Sequence, residues 1–157
     1  DLGQCVQGKR VVQFDRRNNI MIDEAAIVEK FGVSPSSIID YLALVGDTAD
    51  GFPGLQGWGA KSAATVLAKY QLIDNIPDDH NQWIADGVTV RSAEKLATTL
   101  RDNRKDAALF KQLATLITDV PVGDVGDWLW RGPTDRFEEV ANKLGAPQLV
   151  ERLRRLK

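Results

Sequence analysis

A mainly helical fold, a helical bundle with a small strand element at its N-terminal end, is what this chain predicts. Apolar residues recur at three-to-four spacing through most of its 157 residues, the mark of helices that each bury one face. Between those stretches stand helix punctuation signals such as Gly32, Ser34-Pro35 and Pro147. Two-residue alternation is confined to one short run, Lys9 to Phe14.

That run sets Arg10 and Gln13 against Val11, Val12 and Phe14 and reads as a strand. Asp15 to Asn19 is turn chemistry, and Ile20 to Ile22 reads as the returning strand. Asp23 then caps a helix with Ile27, Val28 and Phe31 on its apolar face, stopped by Gly32. Ser34 and Pro35, as N-cap and first helical residue, open a helix that buries Ile38, Ile39, Leu42 and Leu44 and ends near Gly46. Gly59 to Tyr70 is a helix with Ala63, Val66, Leu67 and Tyr70 inward, followed by a looser acidic connection, Asn75 to Gly87. Helices around Ser92 to Leu100 and Asn103 to Ile117 come next. In the extended stretch Thr118 to Val125, Pro121 and Gly123 argue against a central strand. Asp135 and Glu138 have capping-box spacing for a helix ending at Gly145, and Pro147 opens the last one. Trp83, Trp128 and Trp130 read as core or edge packing, and Cys5 as a small apolar residue of a strand.

With 43% hydrophobic and 27% charged residues, the chain has the material for one core, or one core with a small satellite, and is not disordered. No apolar run approaches the roughly 20 residues that span a bilayer, so no membrane partner is expected, and no signal peptide is visible. A single cysteine excludes an internal disulfide and fits a reducing, cytoplasmic setting. The net charge of −2 does not advertise a nucleic-acid binder, yet phosphate binding needs only a local basic surface. The chain opens on Asp1-Leu2-Gly3-Gln4 without an initiator methionine and reads as a piece of something longer.

Chemistry concentrates between Gly46 and Ala64. Asp47 and Asp50 follow a predicted helix at a spacing of three, and a continuing helical turn would bring both to one side. Mg²⁺ keeps several waters, so two acids and a third from elsewhere would suffice to hold it. The plain alternative is a helix end followed by an Asp-Gly turn. Gly57-Trp58-Gly59-Ala60-Lys61-Ser62 is not a P-loop, because Ala60 separates Gly59 from Lys61 and a helix precedes it. A helix–turn–helix that grips a nucleic-acid backbone fits better: glycines allow close approach, the new helix offers its first amides and Lys61 adds charge. By itself the same turn would be an ordinary helix–helix connection. His80 reads as a surface residue. Arg91 and Lys95 lie near a helix start and could touch phosphate, with solvated helix charges the commoner explanation. Arg152, Arg154, Arg155 and Lys157 read as a solvated terminal face.

Together, Asp40-Tyr41-Leu42-Ala43-Leu44-Val45-Gly46-Asp47-Thr48-Ala49-Asp50 through Lys61-Ser62-Ala63-Ala64 resembles the helix–three-turn–helix of bacterial 5′-3′ exonucleases. That family includes the 5′-nuclease domain of DNA polymerase I and is related to flap endonucleases. The likeness extends upstream through Phe31-Gly32-Val33 and downstream through Gln112 to Val120, while Trp128 to Lys157 matches only loosely. It implies a SAM-like C-terminal subdomain, with residues 1–22 a remnant of an N-terminal α/β nuclease domain and 23–157 the helical DNA-binding domain. It also implies a two-metal site for Mg²⁺ or Mn²⁺ in the complete enzyme, with Asp1, Asp47 and Asp50 as catalytic metal ligands. Asp1 matches the last acid of an Asp-Lys-Asp segment. The remaining carboxylates, most of the sheet and the basic arch for the 5′ end would precede it. Gly57, Gly59, Lys61 and Ser62 are implied as duplex-backbone contacts, with a K⁺ ion at the turn. Trp58 departs from the smaller aliphatic residue common at its place.

The expected function is the DNA-binding part of a structure-specific 5′-3′ exonuclease or flap endonuclease of DNA replication and repair, the chain alone being inactive. Its partner is DNA with a 5′ flap or 5′ end beside duplex, recognised without sequence preference. A non-catalytic, sequence-independent duplex-binding module is the alternative, and a protein-interaction helical domain a third possibility.

Overall fold

Eight helices and one short hairpin make up the described residues, 1–154, of the computed structural model. Arg155 and Lys157, read above as part of a basic terminal face, lie outside them. The chain divides into two compact units, Asp1–Thr118 and Asp119–Lys157. That division differs from the one expected at Ile22/Asp23. Residues 1–22 share the first unit with the helices because Val6 is buried in the helical core and Gly3 lies against Ile27 and Ile38.

In the first unit the hairpin pairs β1 (Gln13–Asp15) with β2 (Ile20–Ile22) antiparallel, Gln13 opposite Ile22. The first strand is shorter than expected: Gln7 pairs back to Val11 in an isolated bridge, and the ladder starts only at Gln13. Asp15 closes the turn by accepting the Arg17 and Asn18 N–H groups at 2.9 and 3.2 Å. Cys5 lies half-buried in a 3-10 turn, not in a strand.

Helix α1 (Glu24–Phe31) is capped by the Asp23 carboxylate on Ala26 N–H at 3.1 Å and stopped by Gly32 in the left-handed region, φ 73°. Ser34-Pro35 does restart the chain, but into a 3-10 turn, Pro35–Ser37, from which α2 (Ile38–Val45) continues. Six of the residues of α2, Ile38, Asp40, Tyr41, Leu42, Ala43 and Leu44, are buried, so it is the strut of this unit. It packs on α3 (Ala60–Tyr70) through Ala63, Val66 and Leu67, and on α6 (Arg104–Ala114).

The connection expected between Asn75 and Gly87 contains a helix, α4 (His80–Ala85), whose Asp79 cap accepts Asn81 N–H at 2.9 Å. His80 is its first residue. One wholly buried side chain, Trp83, fixes it, with Nε1 donating to the Pro77 carbonyl at 2.8 Å. Helix α5 (Ala93–Asp102) then buries Leu96, Ala97 and Leu100, and breaks from α6 at Asn103. Polar struts tie α6 back. Lys111 Nζ lies 2.9 Å from the buried Asp40 carboxylate and 3.1 Å from Asp74. Asp40 also accepts the Ile73 N–H at 2.8 Å. The Arg104 guanidinium donates to Asp78 and to the Ile73 and Ile76 carbonyls.

The second unit carries a 3-10 turn, Val125–Trp128, then α7 (Phe137–Lys143) and α8 (Gln148–Arg154). The capping box expected of Asp135 and Glu138 is not formed. The Phe137 N–H bonds the Thr134 carbonyl, and the helix starts one residue later than expected, with Arg136 as N-cap and no side-chain bond. Trp128 and Trp130 are 59% and 66% exposed, not core residues, although the Trp128 N–H is held by the Val122 carbonyl.

Candidate nucleic-acid interface

Helix α2 ends where Gly46 takes φ 88°, which no continuing helix tolerates. The expected helical turn through Asp47 and Asp50 is therefore replaced by a closed loop. Asp47 and Phe52 exchange both backbone hydrogen bonds, at 3.0 and 3.1 Å, and Leu55 N–H returns to the Leu44 carbonyl at 2.9 Å. Inside the loop, Asp47 Oδ1 accepts Ala49 N–H at 2.9 Å and Asp50 N–H at 3.4 Å, a local side-chain turn. Phe52 pins the loop to α6 by stacking on Phe110, ring centroids 5.8 Å apart.

Asp50 is exposed and Asp47 half-exposed, so both carboxylates are open to a hydrated cation. Asp1 does not join them. Its carboxylate turns onto the Leu2 N–H at the start of a 3-10 turn, and among the described residues no three Asp, Glu, His or Cys side chains come together as a metal site. Two carboxylates fall short of a set for two ions.

The second half of the segment is a platform. Trp58 is buried against Trp83, ring centroids 6.0 Å apart, and anchors the turn from beneath. Gly57 has φ 85°, whereas Gly59 is extended at φ −135° and ψ 171°. Ser62 Oγ accepts the Gly59 N–H at 3.1 Å and donates to the Gly59 carbonyl at 3.0 Å. Its hydroxyl thus orders the turn from within. The first amide to bond inside α3 is Ala63, to the Gly59 carbonyl. The Ala60, Lys61 and Ser62 N–H groups therefore stand open at a helix N-terminus, where the helix dipole favours an anion.

This platform forms one wall of a cleft of about 740 Å³. The opposite wall is the start of α5, with Arg91, Ser92 and Lys95. On the sequence alone Arg91 and Lys95 could touch phosphate, with solvated helix charges the commoner explanation. Nothing in their spacing signals that they line one cleft with Lys61, because that depends on α4 turning the chain back.

Residues 33–136 match the family described as 5′-3′ exonuclease, C-terminal SAM fold. The chain belongs to that family. It is 34% identical over 149 residues to DNA polymerase I of Pseudomonas aeruginosa, covering 90% of this chain and 15% of the polymerase. The 5′-3′ exonuclease of Aquifex aeolicus is 33% identical over 123 residues, covering 78% of this chain and 38% of the exonuclease. That of Buchnera aphidicola subsp. Acyrthosiphon pisum is also 33% identical, over 69% of this chain and 37% of its own length. The chain thus spans well under half of each of these relatives. The family match covers the acid loop, the platform and both walls of the cleft.

Proposed function

We propose that this chain is the duplex-binding portion of a structure-specific 5′-3′ exonuclease or flap endonuclease of DNA replication and repair, and that it holds the DNA backbone on the Gly57–Ser62 turn. Gly59 carries this reading. Its backbone is extended and a Cβ there would meet nothing within 4 Å, so neither backbone conformation nor packing space demands a glycine at this helix N-cap. A glycine matters there if something outside the chain comes up against it, and the open amides beside it select a phosphate. Contacts of this kind carry no base readout, so recognition is of structure, a 5′ flap or end beside duplex, not of sequence. The setting is cytoplasmic. No helix among the described residues is long and apolar enough to cross a membrane.

Asp47 and Asp50 would hold divalent cation, directly or through waters, with further carboxylates of a longer chain completing the set; Asp1 would join only by leaving the Leu2 N–H. Bound there, Mg²⁺ or Mn²⁺ supplies activation of the attacking water and stabilisation of the leaving oxygen. The Asp47 turn keeps the loop closed, and Lys61 and the α3 amides hold the duplex beside it. The Gln56 and Gly57 carbonyls accept no hydrogen bond among the described residues, an oxygen donor set that suits K⁺ at the turn. A non-catalytic duplex-binding module is the second reading, favoured by the lack of a three-acid group among the described residues.

Titration of a labelled mixed-sequence duplex by fluorescence anisotropy tests the turn. Gly59→Val should weaken binding at least tenfold with an unchanged melting temperature. Normal binding by that variant removes the turn from the interface. Failure of the unmodified chain to bind at low salt favours a protein-interaction domain instead.

A further inference from the structure

Resting on the reading of the Gly57–Ser62 turn as a backbone site, we propose that Arg91 and Lys95 form a second phosphate-binding wall. One nucleic-acid strand is then gripped from both sides of the cleft. The two walls come close at Gly57, where an added Cβ would lie 3.8 Å from Leu96 Cδ2. At about 740 Å³ the cleft has room for more than one phosphate group.

Charge is what singles it out. Acids outnumber bases 22 to 20 in the chain, yet Lys61, Arg91 and Lys95 line the cleft and no Asp or Glu does. All three cations are exposed, and among the described residues none lies within 4.0 Å of a carboxylate. Elsewhere in the fold Arg104 and Lys111 are neutralised by Asp78, Asp40 and Asp74. Cations that merely solvate a helix face are commonly interspersed with acids, and here an acid-free concave surface collects them.

The wall repeats the chemistry of the platform opposite. Helix α5 starts at Ser92, held in the left-handed region at φ 59° and ψ 39° with no side-chain cap. Leu96 N–H is the first to bond within the helix, to the Ser92 carbonyl at 3.0 Å, so the Ala93, Glu94 and Lys95 amides stand open. Two helix starts and three cations converge on one channel. That arrangement fits a polyanion of repeating phosphates.

Counterion release makes the proposal quantitative. Each cation that meets a duplex phosphate steepens the slope of log K against log salt by about 0.9. Between 50 and 200 mM salt, three contacts lose about 40-fold in affinity and a single contact about 3.5-fold. The experiment is anisotropy titration of a mixed-sequence duplex by the 157-residue chain across that range, with melting temperatures taken in parallel. Its variants are Lys61→Ala, the pair Arg91→Ala with Lys95→Ala, and the charge-matched pair Lys30→Ala with Lys105→Ala away from the cleft. The pair Arg91→Gln with Lys95→Gln keeps the side-chain stems and guards against lost packing. The α5 pairs should flatten the slope by about 1.8, Lys61→Ala by about 0.9, and the distant pair by nothing comparable. If the α5 pairs match the distant pair while Lys61→Ala weakens binding, the second wall is wrong and the turn stands. If no form of the chain binds at 50 mM salt, both fail.

Discussion

Gly46 and Gly54 occupy each other's side-chain space. A Cβ on Gly46 would fall 2.5 Å from the Pro53 carbonyl carbon and 2.8 Å from the Gly54 nitrogen, and one on Gly54 would overlap the Gly46 nitrogen. Both have positive φ, 88° and 71°. The backbone crosses itself at this point, which is how the acid loop leaves α2 and returns to it. Gly46→Ala and Gly54→Ala should each destabilise the chain by roughly 2–4 kcal/mol, combining left-handed strain with a backbone clash. Gly59→Ala, with open space at its Cβ, should stay within about 0.5 kcal/mol. Urea melts of the three variants check the contrast.

Trp58 and Trp83 are neighbours with opposite polar accounts. Trp83 N–H is satisfied by the Pro77 carbonyl, whereas Trp58 Nε1 is buried without a partner among the described residues. An unpaired buried N–H costs about 1–3 kcal/mol, which offsets much of what the larger ring contributes. Trp58→Phe should therefore be nearly neutral in stability, and Trp83→Phe should lose about 2–3 kcal/mol. Equal losses would show that the Trp58 N–H has a partner.

The helices that carry function were legible in the sequence because their signals are local. Asp23 and Gly32 bracket α1, and Gly59 starts α3 where its residues predicted. Helix α4 was not legible. It is short, and Asp78-Asp79 before it has the composition of a turn; only the burial of Trp83, a tertiary fact, holds it in place. The acids at Asp47 and Asp50 were found for a geometric reason that fails, since helical continuation gives way to a crossing of two glycines. Their membership of one loop survives. Arg91 and Lys95 lie some thirty residues from Lys61 in the chain, and no periodicity could place them across a cleft from it.

Alkali should loosen the first unit through two groups. Burial pushes Lys111 down, but hydrogen bonds and charge from Asp40 and Asp74 outweigh it and hold the ammonium above its ordinary value. Burial, then the 2.8 Å hydrogen bond to Asp86 and its charge, push the Tyr70 phenol up to about 12. In both cases the folded chain keeps a proton that the unfolded chain releases near pH 10. Their contribution is complete below that pH and lost as pH rises through the folded values. Denaturant midpoints should fall between pH 10 and about 12, and Tyr70→Phe should flatten part of that fall. At pH 7, Lys111→Met should lose about 3 kcal/mol by stranding the buried Asp40 carboxylate, and adding Asp40→Asn should restore much of it. A pH-independent midpoint would remove both linkages.

Asp47 does two things that substitution can separate. Its Oδ1 closes the acid loop on the Ala49 and Asp50 amides, and its charge is available to a cation. Asparagine keeps an Oδ1 acceptor and removes the charge, so Asp47→Asn should fold normally, while Asp47→Ala should lose about 1 kcal/mol through the open turn. Flap cleavage by a full-length protein carrying this segment should fall at least about 100-fold in Asp47→Asn, whereas duplex affinity should hold or rise as repulsion of phosphate is relieved. The 157-residue chain alone should show negligible cleavage with Mg²⁺ or Mn²⁺, because among its described residues no three acids meet. Cleavage is read on a labelled 5′ flap, with binding measured on the same substrate in Ca²⁺. Strong cleavage by the chain alone would overturn the incomplete metal site, and an unchanged rate in full-length Asp47→Asn would take this carboxylate out of it.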